Sequence, residues 1–120
     1  MRYRAGAALI WAVAGGAAQA QDDWNMREDD APLTSAQMQH DIVGRQLVFY
    51  DGGISDYGPE GVYSYTYDGG GTAFGAYRMQ QDGVICVAFA NGFDRCDMFV
   101  RSGGRLVVIT QKGDRFPVRP

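Results

Sequence analysis

From Gly44 onward the chain is a succession of short apolar runs cut by glycine-containing breaks, and that punctuation leaves little room for anything but antiparallel sheet. The candidate strands are Arg45 to Tyr50, Val62 to Tyr67, Thr72 to Met79, Val84 to Phe89, Phe93 to Arg101, Arg105 to Gln111 and Asp114 to Val118. Between them lie Gly69-Gly70-Gly71, Asp82-Gly83, Asn91-Gly92, Gly103-Gly104 and Lys112-Gly113. Breaks this short join neighbours in space, so the default topology is sequential. The exception is Asp51 to Gly61, which reads as a Gly-rich loop containing Tyr57 and Pro59. The fold class expected is mainly β: an antiparallel β-meander or small barrel of about seven strands with one short N-terminal α-helix packed on it or plugging one end.

That helix is predicted over Ser35 to Val43. Thr34 followed three residues later by Gln37 fits a capping box, and Leu33 with Met38 fits a hydrophobic staple. Met38 and Ile42 fall on one face, and Gly44 is placed to stop the helix. Its apolar face is too narrow to fold alone and must dock on the sheet.

Cys86 and Cys96 are the only cysteines. In an exported domain they read as a disulfide, with free or metal-bound thiols as the other options. Directly opposed, they centre a hairpin on Asn91 and give a three-residue loop, Ala90 to Gly92, with glycine at the left-handed position. Carrying register outward, Gly103-Gly104 as a two-residue turn sets Val100 opposite Val107 and Met98 opposite Ile109. Lys112-Gly113 as a two-residue turn sets Ile109 opposite Phe116, and Asp82-Gly83 sets Met79 opposite Cys86 and Tyr77 opposite Ala88. This face is expected to be the inner one. A second apolar set, Phe74, Ile85, Val87, Phe89, Phe99 and Val108, is then left outside and needs cover. Pro117 marks an edge or a strand end.

Residues 1–20 read as a secretory signal. Arg2 and Arg4 form a positive n-region, Ala5 to Val13 a short apolar core, and Ala18-Gln19-Ala20 a cleavage site. The expected division is 1–20 signal peptide, 21–31 disordered acidic leader and 32–120 a single β domain, exported to the periplasm and not membrane-spanning. The formal net charge is −3, and Gln21 to Pro32 carries five acids against Arg27. Residues 101–120 carry five basic side chains against Asp114, which reads as a solvated strand face, with a dedicated anion site as the alternative. An exported acidic chain is not expected to bind nucleic acid.

Few residues invite chemistry. His40 stands beside Asp41 in sequence but on another helix face, with no serine placed as a nucleophile elbow. The carboxylates fall mostly in turns, where Asp is favoured for backbone reasons. Asp51, Asp56 and Glu60 match no calcium-loop spacing. Asp68-Gly69-Gly70-Gly71 lacks the Lys and Ser/Thr of a phosphate loop. No catalytic residue, no metal site and no cofactor is expected. Tyr63, Tyr65 and Tyr67 alternate and so share one strand face. A Gly69 to Gly71 loop sets Tyr65 opposite Gly75 and Tyr63 opposite Tyr77, so that Tyr63, Tyr65, Tyr67 and Tyr77 line the inner face as core or as a ligand pocket.

The order of signal peptide, Leu33-Thr34 opening a helix that ends in Val43-Gly44-Arg45, then Gly75-Ala76-Tyr77, Asp82-Gly83-Val84-Ile85-Cys86 and Arg95-Cys96 resembles small uncharacterised periplasmic proteins of alphaproteobacteria. Those proteins carry Trp where this chain has Tyr77. The resemblance implies a disulfide-stapled periplasmic β domain and transfers no catalytic residue. The function expected is a non-enzymatic binding or interaction module acting on a protein or envelope component, and the alternative is a lipocalin-like carrier that uses the tyrosine-lined face for a small ligand.

Overall fold

The computed structural model describes residues 24–120. The expected signal peptide, residues 1–20, lies outside the described residues. In chain order the elements are β1 (Asp30–Pro32), α1 (Ser35–Asp41), β2 (Arg45–Val48), β3 (Ile54–Tyr57), β4 (Val62–Thr66), β5 (Thr72–Gln81), β6 (Val84–Phe89), β7 (Asp94–Ser102), β8 (Arg105–Thr110) and β9 (Arg115–Pro117). Strands β2 to β9 pair in sequential order as one curled antiparallel sheet of eight strands, a half-barrel. One bridge, Phe49 to Val118, with the Arg119 amide donating to the Val48 carbonyl, joins the first and last of them.

The helix forms as its cap predicts. Thr34 accepts from the Gln37 amide while the Gln37 side chain accepts from the Thr34 amide. Asp82, on the β5–β6 turn, accepts from both the amide and the hydroxyl of Ser35. Leu33, Met38 and Ile42 are wholly buried, so α1 closes one end of the half-barrel. Each such burial contributes about 1.5–3 kcal/mol. The helix stops at Asp41, two residues before the expected Val43.

The opposite end is ringed by four loops of one design. Tyr50–Gly52, Asp68–Gly70, Ala90–Gly92 and Gln111–Gly113 each hold three residues and end on a glycine of positive φ. In each, the residue before the loop donates its amide to the residue after it and accepts from the glycine. This is the turn whose right-handed twist suits adjoining strands. The disulfide joins Cys86 to Cys96 directly across β6 and β7, as the spacing predicts. Closing so short a loop contributes about 2–3 kcal/mol on a chain-entropy estimate.

Three registers differ from the sequence reading. The loop before β9 has three residues rather than the two of Lys112-Gly113, so Phe116 opposes Val108 and Ile109 opposes Arg115. The loop before β5 is Asp68–Gly70 rather than Gly69 to Gly71, which sets Tyr63 against Gly75 and Tyr65 against Ala73. The Asp82-Gly83 turn does have two residues, but a bulge between Met79 and Gln81 shifts the pairing. Tyr77 therefore opposes Val87 and Met79 opposes Ile85, not Ala88 and Cys86. The expected loop 51–61 also contains a strand, β3.

The faces are consequently exchanged. Ile85, Val87, Phe99 and Val108 point into the half-barrel and pack with Leu47, Tyr57, Tyr63 and the helix. Cys86, Met98, Val100, Val107 and Ile109, expected inside, lie on the convex face with Val84. Phe74, expected with the former set, is exposed.

What covers the convex face is the segment read as a disordered leader. Residues 24–31 are ordered: Trp24 is buried on this second cluster, and β1 pairs with the end of β7 beyond Val84. Gly83, at φ +79°, lets that strand pass, because a Cβ there would sit 2.6 Å from the Met98 sulfur and 3.2 Å from Pro32. Asp30 anchors the strap. Its enclosed carboxylate accepts both guanidinium arms of Arg115, at 2.8 and 2.9 Å, and the Arg27 amide at 2.7 Å. The Arg115 hydrogen bonds hold the Asp30 carboxyl well below the usual carboxylate range. Its stabilising contribution is present above the unfolded pKa and disappears as pH falls through the depressed folded value.

Asp30→Asn should therefore cost about 3 kcal/mol, the scale of breaking one partner of an enclosed ion pair. In a chain lacking residues 1–20, Trp24 is the sole tryptophan, and its emission should move to the red in the variant. Unchanged emission and an unchanged urea midpoint would show that the strap does not depend on Asp30.

Candidate functional site

The end of the half-barrel away from α1 opens into a cavity of about 530 Å³. Its walls follow from the loop design. Phe49, Tyr67 and Phe89, each the residue before one of the loops, stand round the opening with Tyr65, Phe93 and Phe116. Tyr65 and Tyr67 meet edge to face with centroids 4.9 Å apart, and Phe89 lies 6.3 Å from Phe93.

Beneath this aromatic wall is a charged floor. Arg95 and Asp97 alternate with Cys96 on β7, and since both cysteines face outward, both charges face inward. Arg95 Nε donates to Asp97 Oδ2 at 3.1 Å, its NH2 group donates to the Tyr63 hydroxyl at 3.3 Å, and its guanidinium lies over the Phe89 ring at 5.4 Å. The Tyr63 hydroxyl also shares a 2.9 Å hydrogen bond with Ser55. Asp97 is 2% exposed, and among the described residues its Oδ1 atom is enclosed without a hydrogen-bond partner.

The electrostatics follow from this enclosure. Burial raises the Asp97 pKa, and Arg95 offsets the effect only in part. Burial works against the charge on Arg95, yet Asp97 and Tyr63 outweigh it and hold the guanidinium more firmly protonated. Burial likewise drives the Tyr57 hydroxyl well up. Asp51, Asp94 and Asp114 add carboxylates to the lining, against Lys112.

The four tyrosines named from sequence are separated by the structure. Tyr63 is wholly buried against Tyr57 and Phe89, whereas Tyr65 and Tyr77 are half-buried. Tyr77 donates from its hydroxyl to the Gly58 carbonyl and packs edge-on against Tyr57. Tyr67 is 57% exposed at the rim. Only Tyr65 and Tyr67 of the four line the cavity. Tyr57, Arg95, Asp97 and Ser55 were not singled out. For Arg95 and Asp97 the signal lay in the disulfide register, because residues flanking Cys96 must point opposite to it, whereas Ser55 and Tyr57 lie in the segment read as a loop.

His40 does meet Asp41, at 2.8 Å, against the expectation that they occupy separate faces. Asp41 also receives Arg101 at 3.2 Å. The His40 hydrogen bond is the main cause of the lowered Asp41 pKa. His40 itself is exposed on the far side of the molecule from the aromatic opening. Among the described residues, no three His, Cys, Asp or Glu side chains gather as a metal site, and no helix is long and apolar enough to cross a membrane. No protein-family model matches the chain, and neither a curated protein nor a solved structure matches it.

With its pKa raised in the folded state, Asp97 takes up a proton on folding as pH falls through that raised value. This titration adds stability at low pH and loses it as pH rises. Comparing urea stability at about pH 7 and about pH 5, the wild type should gain relative to Asp97→Asn. Asp30 and Asp41 shift in the opposite sense in both proteins and cancel in the comparison. Parallel pH profiles would show that Asp97 is not the perturbed group.

Proposed function

We propose that this is an exported, non-enzymatic binding protein that holds a small amphipathic molecule in the open end of its half-barrel. The observation that carries the reading is the cavity of about 530 Å³, walled by aromatic rings over the paired Arg95 and Asp97. A ligand site of ordinary size is apolar with a few convergent polar groups, and this opening has that make-up. The apolar body of the ligand packs on Phe49, Phe89 and Phe116. A hydrogen-bonding head faces the floor, where desolvation strengthens each polar contact. Periplasmic location is part of the proposal, supported by the signal-like residues 1–20 and by a disulfide suited to an oxidising compartment.

The test uses N-phenyl-1-naphthylamine, an amphipathic dye that brightens in apolar sites. Phe93 is 64% exposed at the rim, so Phe93→Ala should leave the melting temperature nearly unchanged while weakening dye binding several-fold. Dye binding unaffected by Phe93→Ala and by Phe116→Ser would place the dye elsewhere and defeat the reading.

A second reading, an interaction module for a protein or envelope component, has its own observation. Val62 and Phe74, each 62% exposed, are diagonal neighbours on the outer faces of β4 and β5. Phe74→Ser should abolish capture of a periplasmic partner if this patch is the contact, and leave dye binding intact.

A further inference from the structure

A second concavity, of about 390 Å³, lies along the seam where β2 meets the end of the chain. Arg45 from β2, Arg101 from β7, Arg105 from β8 and Arg119 beyond β9 all border it. The basic residues of 101–120 read from sequence as a solvated strand face, with an anion site as the alternative. The fold instead gathers Arg101, Arg105 and Arg119 and adds Arg45 from the other edge of the sheet.

The arginines are positioned rather than loose. Arg105 and Arg119 both lie over the Tyr50 ring, at 5.8 and 5.4 Å from its centroid. Arg105 also reaches the Tyr50 hydroxyl at 3.5 Å, and Arg45 Nε donates to the His40 carbonyl at 3.1 Å. Arg101 has a carboxylate partner, Asp41. Among the described residues, Arg45, Arg105 and Arg119 have none within ion-pair distance. Asp41, the single acidic side chain on the lining, is already shared between Arg101 and His40.

Two guanidiniums on one ring repel each other, and nothing in packing the half-barrel requires them there. An anion seated beside them would offset that repulsion. A guanidinium fork matches phosphate oxygens bidentately, and three forks round one concavity match a phosphate more closely than a single carboxylate. The volume exceeds what a bare phosphate fills, which leaves room for the group that carries it.

We propose that the seam concavity binds a phosphate-bearing anion through Arg45, Arg105 and Arg119. The same chemistry serves a soluble phosphorylated molecule and a phospholipid headgroup. The site lies on different residues from the aromatic opening, so neither proposal depends on the other.

The test titrates the full exported chain calorimetrically with inorganic pyrophosphate and, separately, sediments it with phosphatidylglycerol or phosphatidylcholine vesicles. Saturable pyrophosphate binding is expected, weakened at least about tenfold by Arg105→Gln with Arg119→Gln, the scale of losing charge-assisted bonds. Arg78→Gln, an exposed arginine on the convex face of β5, should change nothing. All three side chains are exposed, and a thermal melt checks that each variant folds. Sedimentation with phosphatidylglycerol that is lost in the double variant identifies a headgroup as the source. Pyrophosphate binding without sedimentation identifies a soluble ligand. If pyrophosphate does not bind, or Arg78→Gln weakens it as much as the double variant does, the proposal is overturned.

Discussion

Side-chain parity is the constraint on which the rest of this structure depends. Along a strand every second residue faces inward, so each hairpin either keeps or exchanges the inward set according to how many residues its loop contains. From β2 to β7 the inward residues are odd-numbered: Leu47, Ser55, Tyr63, Tyr77, Val87 and Asp97. The three-residue loops keep that parity. The two-residue turn at Asp82-Gly83 would reverse it, sending Tyr77 and Met79 out to solvent. The bulge between Met79 and Gln81 cancels the reversal. At Gly103-Gly104 no bulge intervenes, and from Leu106 through Val118 the inward residues are even-numbered.

This explains which parts of the fold were legible in the sequence. Helix α1 was, because a capping box and staple are local patterns that Thr34, Gln37, Leu33 and Met38 satisfy within a few residues. So was the β6–β7 register, since two cysteines at that spacing and Gly92 demand the same loop. The bulge was not. Nothing in Met79-Gln80-Gln81 marks it, and what selects it is tertiary: the need to bury Tyr77 and Met79 against Tyr57 and Ile85. With parity misjudged at the β5–β6 hairpin, the residues of β6 to β8 are assigned to the wrong face, and the second misjudged loop, before β9, returns Phe116 to the inner side. The apolar residues of β6 to β8 were therefore exchanged between faces, while Tyr77, Met79 and Phe116 lie inside as expected.

The strap illustrates a different blindness. Gln21 to Ala31 has the composition of a disordered segment, being acidic and short of aliphatic side chains. Order is imposed on residues 24–31 by their partners. The convex face carries Val84, Met98, Val100, Val107 and Ile109, an apolar surface that cannot remain wet, and Trp24 with Met26 covers it. The bidentate Arg115 contact converts one of the acids from a solubilising charge into an anchor. Composition describes a segment alone, whereas burial here belongs to two segments far apart in sequence.

The candidate site was half legible for the same reason. Alternation put Tyr63, Tyr65 and Tyr67 on one face correctly, because within one strand no parity error can enter. Arg95 and Asp97 share the parity of Phe99, which the sequence reading leaves outside, and in the folded chain all three turn inward together. A charged pair in that position is unfavourable for packing alone, since desolvating Asp97 leaves one oxygen without a partner. Apolar residues of similar volume would fill the end of the half-barrel with less penalty, as Leu33 and, on α1, Met38 do at the other. The two ends of the same eight strands thus differ: one is closed by a helix with a capping box at Thr34 and Gln37, and the other is left open over the paired Arg95 and Asp97. That difference is what makes the open end the candidate site.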